Sequence, residues 1–266
     1  MHLTPFLRCT LLATLLAFGS GAALASYPRV SSEKVIGSPH QIRQAAMAGS
    51  PEAQYNLAVM YYNGDGVVRN RYKAAEWFTK AANQGLARAQ YNLGALYSSG
   101  TGVARDQRVA NTWFRAAADQ DYPPALYALG MAYYDGKGIA QDYELALPLI
   151  EKAARLGFPL AQNNLGSMFD QGTGVSQNKR RAATWYEKAA KQGLPEAQFN
   201  LALMYLNGDG VFRNQRKAAE WMQRAADQGF GKALRRMGDF YLNGTGVERN
   251  PVLAREYYQR ASLIGS

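Results

Sequence analysis

Residues 53–88 read AQYNLAVMYYNGDGVVRNRYKAAEWFTKAANQGLAR, and residues 89–124 read AQYNLGALYSSGTGVARDQRVANTWFRAAADQDYPP. The second stretch restates the first at a spacing of 36 residues, without insertion or deletion. The unit recurs six times, marked by Gly64/Gly66/Val67, Gly100/Gly102/Val103, Gly136/Gly138/Ile139, Gly172/Gly174/Val175, Gly208/Gly210/Val211 and Gly244/Gly246/Val247. A fixed period of this length means stacked supersecondary units, so a solenoid is expected rather than a compact globule. The copies also align with one another. Positions that hold in every copy build the scaffold, and positions that vary are free to carry function.

Within a unit, Ala53, Leu57 and Tyr61 are spaced i, i+4, i+8, which is one face of a helix. The residue after the leucine position is always small (Ala58, Gly94, Gly130, Gly166, Ala202, Gly238), so a neighbouring helix can approach closely. Pro51, Pro159 and Pro195 open this first helix, where a missing N–H is harmless. The Gly-x-Gly turn ends it, and its glycines are expected at positive φ. Asn70, Asp106, Asp142, Asn178, Asn214 and Asn250 then N-cap a second helix. Its core face is read as Ala74, Trp77 and Ala81 with their equivalents. Glycine closes it at Gly85, Gly157, Gly193, Gly229 and Gly265, with Asp121 in the second unit. Pro148 falls inside the second helix of unit three and is expected to bend it. One helix pair cannot bury its apolar stripe alone, but stacked neighbours cover it.

The pattern A-x-x-x-L-G-x-x-Y-x-x-G-x-G-V, an Asp/Asn cap, then A-x-x-W-x-x-K-A-A-x-x-G resembles the Sel-1-like repeat, a relative of the tetratricopeptide repeat. The match runs from Ala53 to Gly265. The resemblance implies an all-α fold, a right-handed α/α solenoid of six helix-turn-helix repeats at 53–88, 89–124, 125–160, 161–196, 197–232 and 233–266. It also implies adaptors that hold protein complexes together. Exported bacterial members are partner-binding regulators, toxin-neutralising immunity proteins or parts of envelope machinery. One cysteine-rich branch is linked to β-lactam binding, and this chain lacks its cysteines.

Residues 1–25 read as a cleavable signal peptide: Arg8, an apolar run from Leu11 to Phe18, then Ala23-Leu24-Ala25. The expected location is the bacterial periplasm. Residues 26–39 read as a flexible segment and 40–52 as a partial capping repeat, with Ala45, Ala46 and Gly49 in register with Ala81, Ala82 and Gly85. At the other end no extra capping helix is seen, which leaves the last helix open to self-association. The formal charge is +10, and removal of Arg8 leaves 29 basic and 20 acidic residues, or +9. An exported basic protein rarely meets nucleic acid, so the expected partner is a protein with an acidic surface, with anionic polysaccharide or lipid headgroups as alternatives.

No catalytic set emerges. After the signal peptide the chain holds one histidine, His40, and no cysteine, which excludes thiol nucleophiles, disulfides and thiolate metal sites. The Gly-Asp-Gly segments at Asp65 and Asp209 lack EF-hand spacing and have no Walker lysine beside them. No cofactor, metal or stable membrane insertion is expected. Function is assigned instead to variable surface. If the first helices line the concave side, as in tetratricopeptide arrays, the candidate partner groove comprises Tyr55, Val59, Tyr62, Tyr91, Tyr127, Met131, Tyr134, Asn163, Asp170, Phe199, Leu203, Arg235 and Asp239. Asn56, Asn92, Asn164 and Asn200 recur and read as structural. A basic edge gathers in the turns: Arg69, Arg71, Arg105, Arg108, Lys179, Arg180, Arg181, Arg213, Arg216 and Lys217. It is expected to steer an acidic partner. The leading expectation is a non-enzymatic periplasmic protein-binding scaffold. The alternatives are an immunity protein, a regulator of an envelope sensor, a polysaccharide-associated scaffold and, last, a β-lactamase or cell-wall hydrolase.

Overall fold

A computed structural model describes residues 38–264. It is all helix and turn. The described elements are α1 (Pro39–Met47), α2 (Pro51–Asn63), α3 (Arg71–Asn83), α4 (Ala87–Ser99), α5 (Gln107–Ala118), α6 (Pro123–Asp135), α7 (Tyr143–Arg155), α8 (Pro159–Gln171), α9 (Lys179–Lys191), α10 (Pro195–Asn207), α11 (Gln215–Asp227), α12 (Gly231–Asn243) and α13 (Pro251–Leu263). The expected signal peptide at 1–25 and the expected closing Gly265 lie outside the described residues, as does most of the 26–39 segment. Each helix packs on the next in the chain, so α2 to α13 form six antiparallel pairs stacked in a row. The result is an all-α solenoid.

Every first helix stops at a left-handed glycine, from Gly64 (φ 89°) to Gly244 (φ 73°). The second glycine of each turn is also at positive φ. The following cap residue closes the turn twice. Its backbone N–H returns to the aromatic of the first helix, as in Asn70 N to Tyr61 O at 2.8 Å and Asn250 N to Tyr241 O at 2.7 Å. Its side chain accepts from the first turn of the second helix, as in Asn70 Oδ1 from Lys73 N at 3.0 Å. Such a cap contributes about 1 kcal/mol relative to alanine. Asp121, standing where other units have glycine, adopts φ 58°.

The core runs between the layers. Leu57, Leu93, Leu129, Leu165, Leu201 and Met237 are buried, as are Ala74, Ala81 and their equivalents. In units one to five the second-helix face is rotated by one residue from the sequence reading, while in unit six Ala254, Tyr257 and Ala261 are buried as read. The deepest large side chains are Phe78, Phe114, Ile150, Tyr186 and Met222, one position beyond the Trp77 column. In unit four, an alanine at Gly166 would bring its Cβ within 2.8 Å of Tyr186, which explains the small residue after each leucine. The tryptophans are half-buried instead, and three are covered by cations: Lys80 over Trp77 at 4.0 Å, Lys188 over Trp185 at 4.1 Å and Arg224 over Trp221 at 4.4 Å. Pro148 does not break α7, which keeps thirteen residues and buries Ile150 in register.

The ends differ. α1 is the second helix of a truncated leading repeat: Ile42 stands at the Phe78 position and Ala46 at the Ala82 position, both buried. Its N-cap is Ser38, in a reciprocal capping box with Gln41. At the other end, Arg255 and Ser262 are exposed in α13 where α11 buries Ala219 and Ala226. The same exposed side of α13 also carries Val252 and Leu263. A second copy stacked there would have to bury an arginine.

Candidate functional site

The groove columns separate by depth. Tyr55, Tyr91 and Tyr127 are only 3%, 6% and 6% exposed, and Val59 is buried with them. Their rings pack edge-on or tilted between helices: Tyr55 on Phe78 at 5.6 Å, Tyr91 on Phe114 and Tyr122 at 5.7 Å, Tyr127 on Phe158 at 5.4 Å. Phe199, half-buried, meets Phe230 at 5.5 Å in the same way. The expectation that these tyrosine rings meet a partner is therefore corrected. Their position faces the seam between repeats, and aromatic area is worth most when desolvated there.

The tyrosine hydroxyls emerge from that seam and tie repeats together. Asn92 Nδ2 donates to the Tyr55 hydroxyl at 3.2 Å, and Asn164 Nδ2 to the Tyr127 hydroxyl at 2.7 Å. Where unit four has Asn163 instead of tyrosine, Asn200 Nδ2 donates to its Oδ1 at 3.1 Å. The accessible strip beside this ladder consists of half-buried Tyr62, Met131, Tyr134, Asn163, Asp170, Phe199, Leu203 and Asp239, with Arg235 exposed. Its character changes along the stack. Met131, Tyr134 and Leu203 give an apolar stretch. In unit four Asp170 takes Lys179 at 2.7 Å, a hydrogen bond that raises the lysine's pKa. Beside it the Tyr186 hydroxyl is held well above its usual range, first by burial and then by Asp170, against the opposing hydrogen bond of Ser167. The last repeat is cationic, with Lys232, Arg235 and Arg236 exposed and Arg236 3.5 Å from Asp239.

The basic edge divides into cations with structural work and cations without. Lys73, Arg181 and Lys217 lie over Tyr61, Phe169 and Tyr205 at 5.4, 3.9 and 5.3 Å. Arg213 Nε caps the carbonyl of Leu206 at 3.1 Å. Lys179 is held by Asp170, and Arg108 lies 4.0 Å from Asp106. Arg69, Arg71, Arg105, Arg180 and Arg216 are exposed and, among the described residues, form no ion pair. Arg71, Arg180 and Arg216 occupy the first turn of a second helix, where the macrodipole is already positive. Each such charge is unfavourable by ~0.3–1 kcal/mol. No acidic residue offsets them in the first turns of α3, α5, α9, α11 or α13. Phe212 projects from this edge and, with Tyr205, Val211, Asn214 and Lys217, lines a shallow cavity of about 260 Å³.

Two structural devices escaped the sequence reading. Gln54, Gln90, Gln162 and Gln198 are buried, and each donates to a carbonyl of the preceding second helix, as in Gln162 Nε2 to Ala154 O at 3.0 Å. Each also accepts from a glutamine thirty residues on: Gln84, Gln120, Gln192 and Gln228, all at 2.8 Å. In units three and six both partners change together, to Leu126/Leu156 and Leu234/Ile264. That paired change inside one chain was the available signal. The second device is the second glycine of each turn. A Cβ at Gly102, Gly210 or Gly246 would fall on the backbone of Arg71, Lys179 or Gln215, the opening residue of the preceding second helix. Among the described residues no group of three or more His, Cys, Asp or Glu side chains could hold a metal ion, and no helix is long and apolar enough to cross a membrane.

The Sel1 repeat model matches residues 51–86, 87–122, 123–158, 159–194, 195–230 and 231–266. Among solved structures, the chain is similar to c5321 of uropathogenic Escherichia coli, described as a protective antigen displaying an SLR fold. The two are 36% identical with a TM-score of 0.76, over 85% of this chain and 48% of that one. The chain thus spans about half the length of that relative. A Sel1 repeat protein from Oxalobacter formigenes is 33% identical with a TM-score of 0.74, over 84% of this chain and 87% of that one. The fold alone is shared with immunity protein Pa5087 of Pseudomonas aeruginosa, at 24% identity and a TM-score of 0.53, over 80% of this chain and 81% of that one. A comparison with curated proteins finds no match.

Proposed function

Because the chain belongs to the Sel1 repeat family, a non-enzymatic, all-α solenoid fold of the kind that binds other proteins, we propose that its first-helix face holds one partner protein in the periplasm. The observation that carries this reading is the strip beside the asparagine ladder. Its scaffold positions repeat from unit to unit, while Tyr62, Met131, Tyr134, Asp170, Leu203 and Asp239 differ and remain accessible. The partner presents an apolar patch to Met131, Tyr134 and Leu203 and an acidic one to Lys232, Arg235 and Arg236 at the last repeat. Periplasmic location rests on the signal-peptide pattern of residues 1–25.

The partner is a secreted toxin, and binding neutralises it. Two solved proteins of the same fold, Pa5087 and PA5088 of Pseudomonas aeruginosa, are described as immunity proteins. Blocking a toxin needs a shaped surface and no chemistry of its own. The test is survival under attack by rival or sibling cells. Deletion of the gene is expected to sensitise cells, and the wild-type gene is expected to restore protection. Met131→Glu/Leu203→Glu is expected not to. No sensitivity on deletion would overturn the toxin reading and favour a regulator of an envelope sensor. Full protection by the double variant would overturn the surface assignment.

A further inference from the structure

The turn edge carries more apolar exposure than a solvated edge requires. Among the described residues, six of the eleven exposed large hydrophobics lie in these turns or the helix starts beside them. Val68 is 88% exposed, Tyr72 77% and Phe212 97%. They stand among the same cations that oppose their own helix dipoles and lack ion-pair partners, Arg71, Arg180 and Arg216.

We infer that this edge docks peripherally on an anionic lipid surface. Lys and Arg beside projecting aliphatic and aromatic tips is the composition of an interfacial contact: the cations meet headgroup phosphates and the tips enter the headgroup–acyl boundary. The spacing favours a bilayer over an acidic protein. Val68 and Phe212 occupy the same repeat position in units one and five, and Ala104, Ala140 and Ser176 separate them. Tips spread over units one, three, five and six form no single packed anchor for a protein pocket. A fluid surface accepts each tip independently. The docked edge leaves the first-helix face accessible, so the solenoid would present its partner at the membrane surface. The docked state is peripheral, in keeping with the short helices.

The experiment is sedimentation of the purified full chain with phosphatidylcholine vesicles, with and without phosphatidylglycerol. Binding is expected only with phosphatidylglycerol and is expected to fall as salt rises. Arg71→Ser/Arg180→Ser/Arg216→Ser removes charges that form no ion pair among the described residues, so the variant is expected to stay folded, as circular dichroism will report. It is expected to lose about 100-fold in affinity, at roughly fivefold per cation. Phe212→Ser, at unchanged charge, is expected to lose about tenfold. No binding to phosphatidylglycerol vesicles at low salt would overturn the inference. So would binding indifferent to Phe212→Ser, which marks plain polyanion adsorption. Poly-glutamate bound as tightly as the vesicles, with the same dependence on Phe212, would assign the edge to an acidic protein and overturn it too.

Discussion

Single residues carry two kinds of constraint here, and glycine shows both. Gly85 has φ 86° and no atom within 4 Å of where a Cβ would stand. Gly85→Ala is expected to lose only the left-handed backbone penalty of about 1–2 kcal/mol. Gly210 has φ 66°, and a Cβ there would collide with the backbone of Lys179. Gly210→Ala is expected to lose about 3 kcal/mol or more, because a turn and a helix must also separate. Urea unfolding of the two variants checks the ranking. Positive φ was legible in the Gly-x-Gly spacing. The close approach was not, because it involves residue 179, about thirty positions earlier in the chain, and only stacking brings the two together. Tyr186 sets a second residue-scale test. Its folded pKa lies above the ordinary 10.0 through burial. The stability it contributes is whole below about pH 10 and is lost as pH rises through the folded value. Tyr186→Phe is therefore expected to hold its circular dichroism to a higher pH than wild type.

At the scale of elements, the glutamine pairs staple one repeat to the next. Gln90 Nε2 donates to Ala82 O at 3.2 Å and accepts from Gln120 at 2.8 Å. Gln90→Leu alone removes two hydrogen bonds, the one to Ala82 O and the one from Gln120, which keeps its bond to Gly85 O at 2.9 Å; the expected loss is about 1–3 kcal/mol. Adding Gln120→Leu reproduces the Leu126/Leu156 pair of unit three and is expected to restore part of that loss. A double-mutant cycle should return a coupling of about 1 kcal/mol, and a coupling near zero would remove the staple from the account. Helix caps and small-residue contacts were legible at this scale, since each follows from local rules acting within one unit. The rotation of the second-helix face from Trp77 to Phe78 was not. Both columns are apolar, and the cation over the tryptophan, visible only in three dimensions, lets that ring remain half-exposed. For the same reason the groove was half legible. Variation marked a strip that the fold leaves accessible, but the tyrosine rings belonged to the seam.

For the whole molecule, the period dictates a row of near-identical pairs in which each contacts only its neighbours. Such a structure offers its partner one continuous strip on the first helices, and the central claim is that the partner lies there. Site-specific photo-crosslinking in living cells tests it most directly. A photoreactive residue at Met131 or Leu203 samples the strip, and one at Glu76 or Glu220 samples the exposed second-helix face. The account expects one and the same protein adduct from Met131 and Leu203 and none from Glu76 or Glu220. An adduct formed from the second-helix positions, with none from the strip, would contradict it.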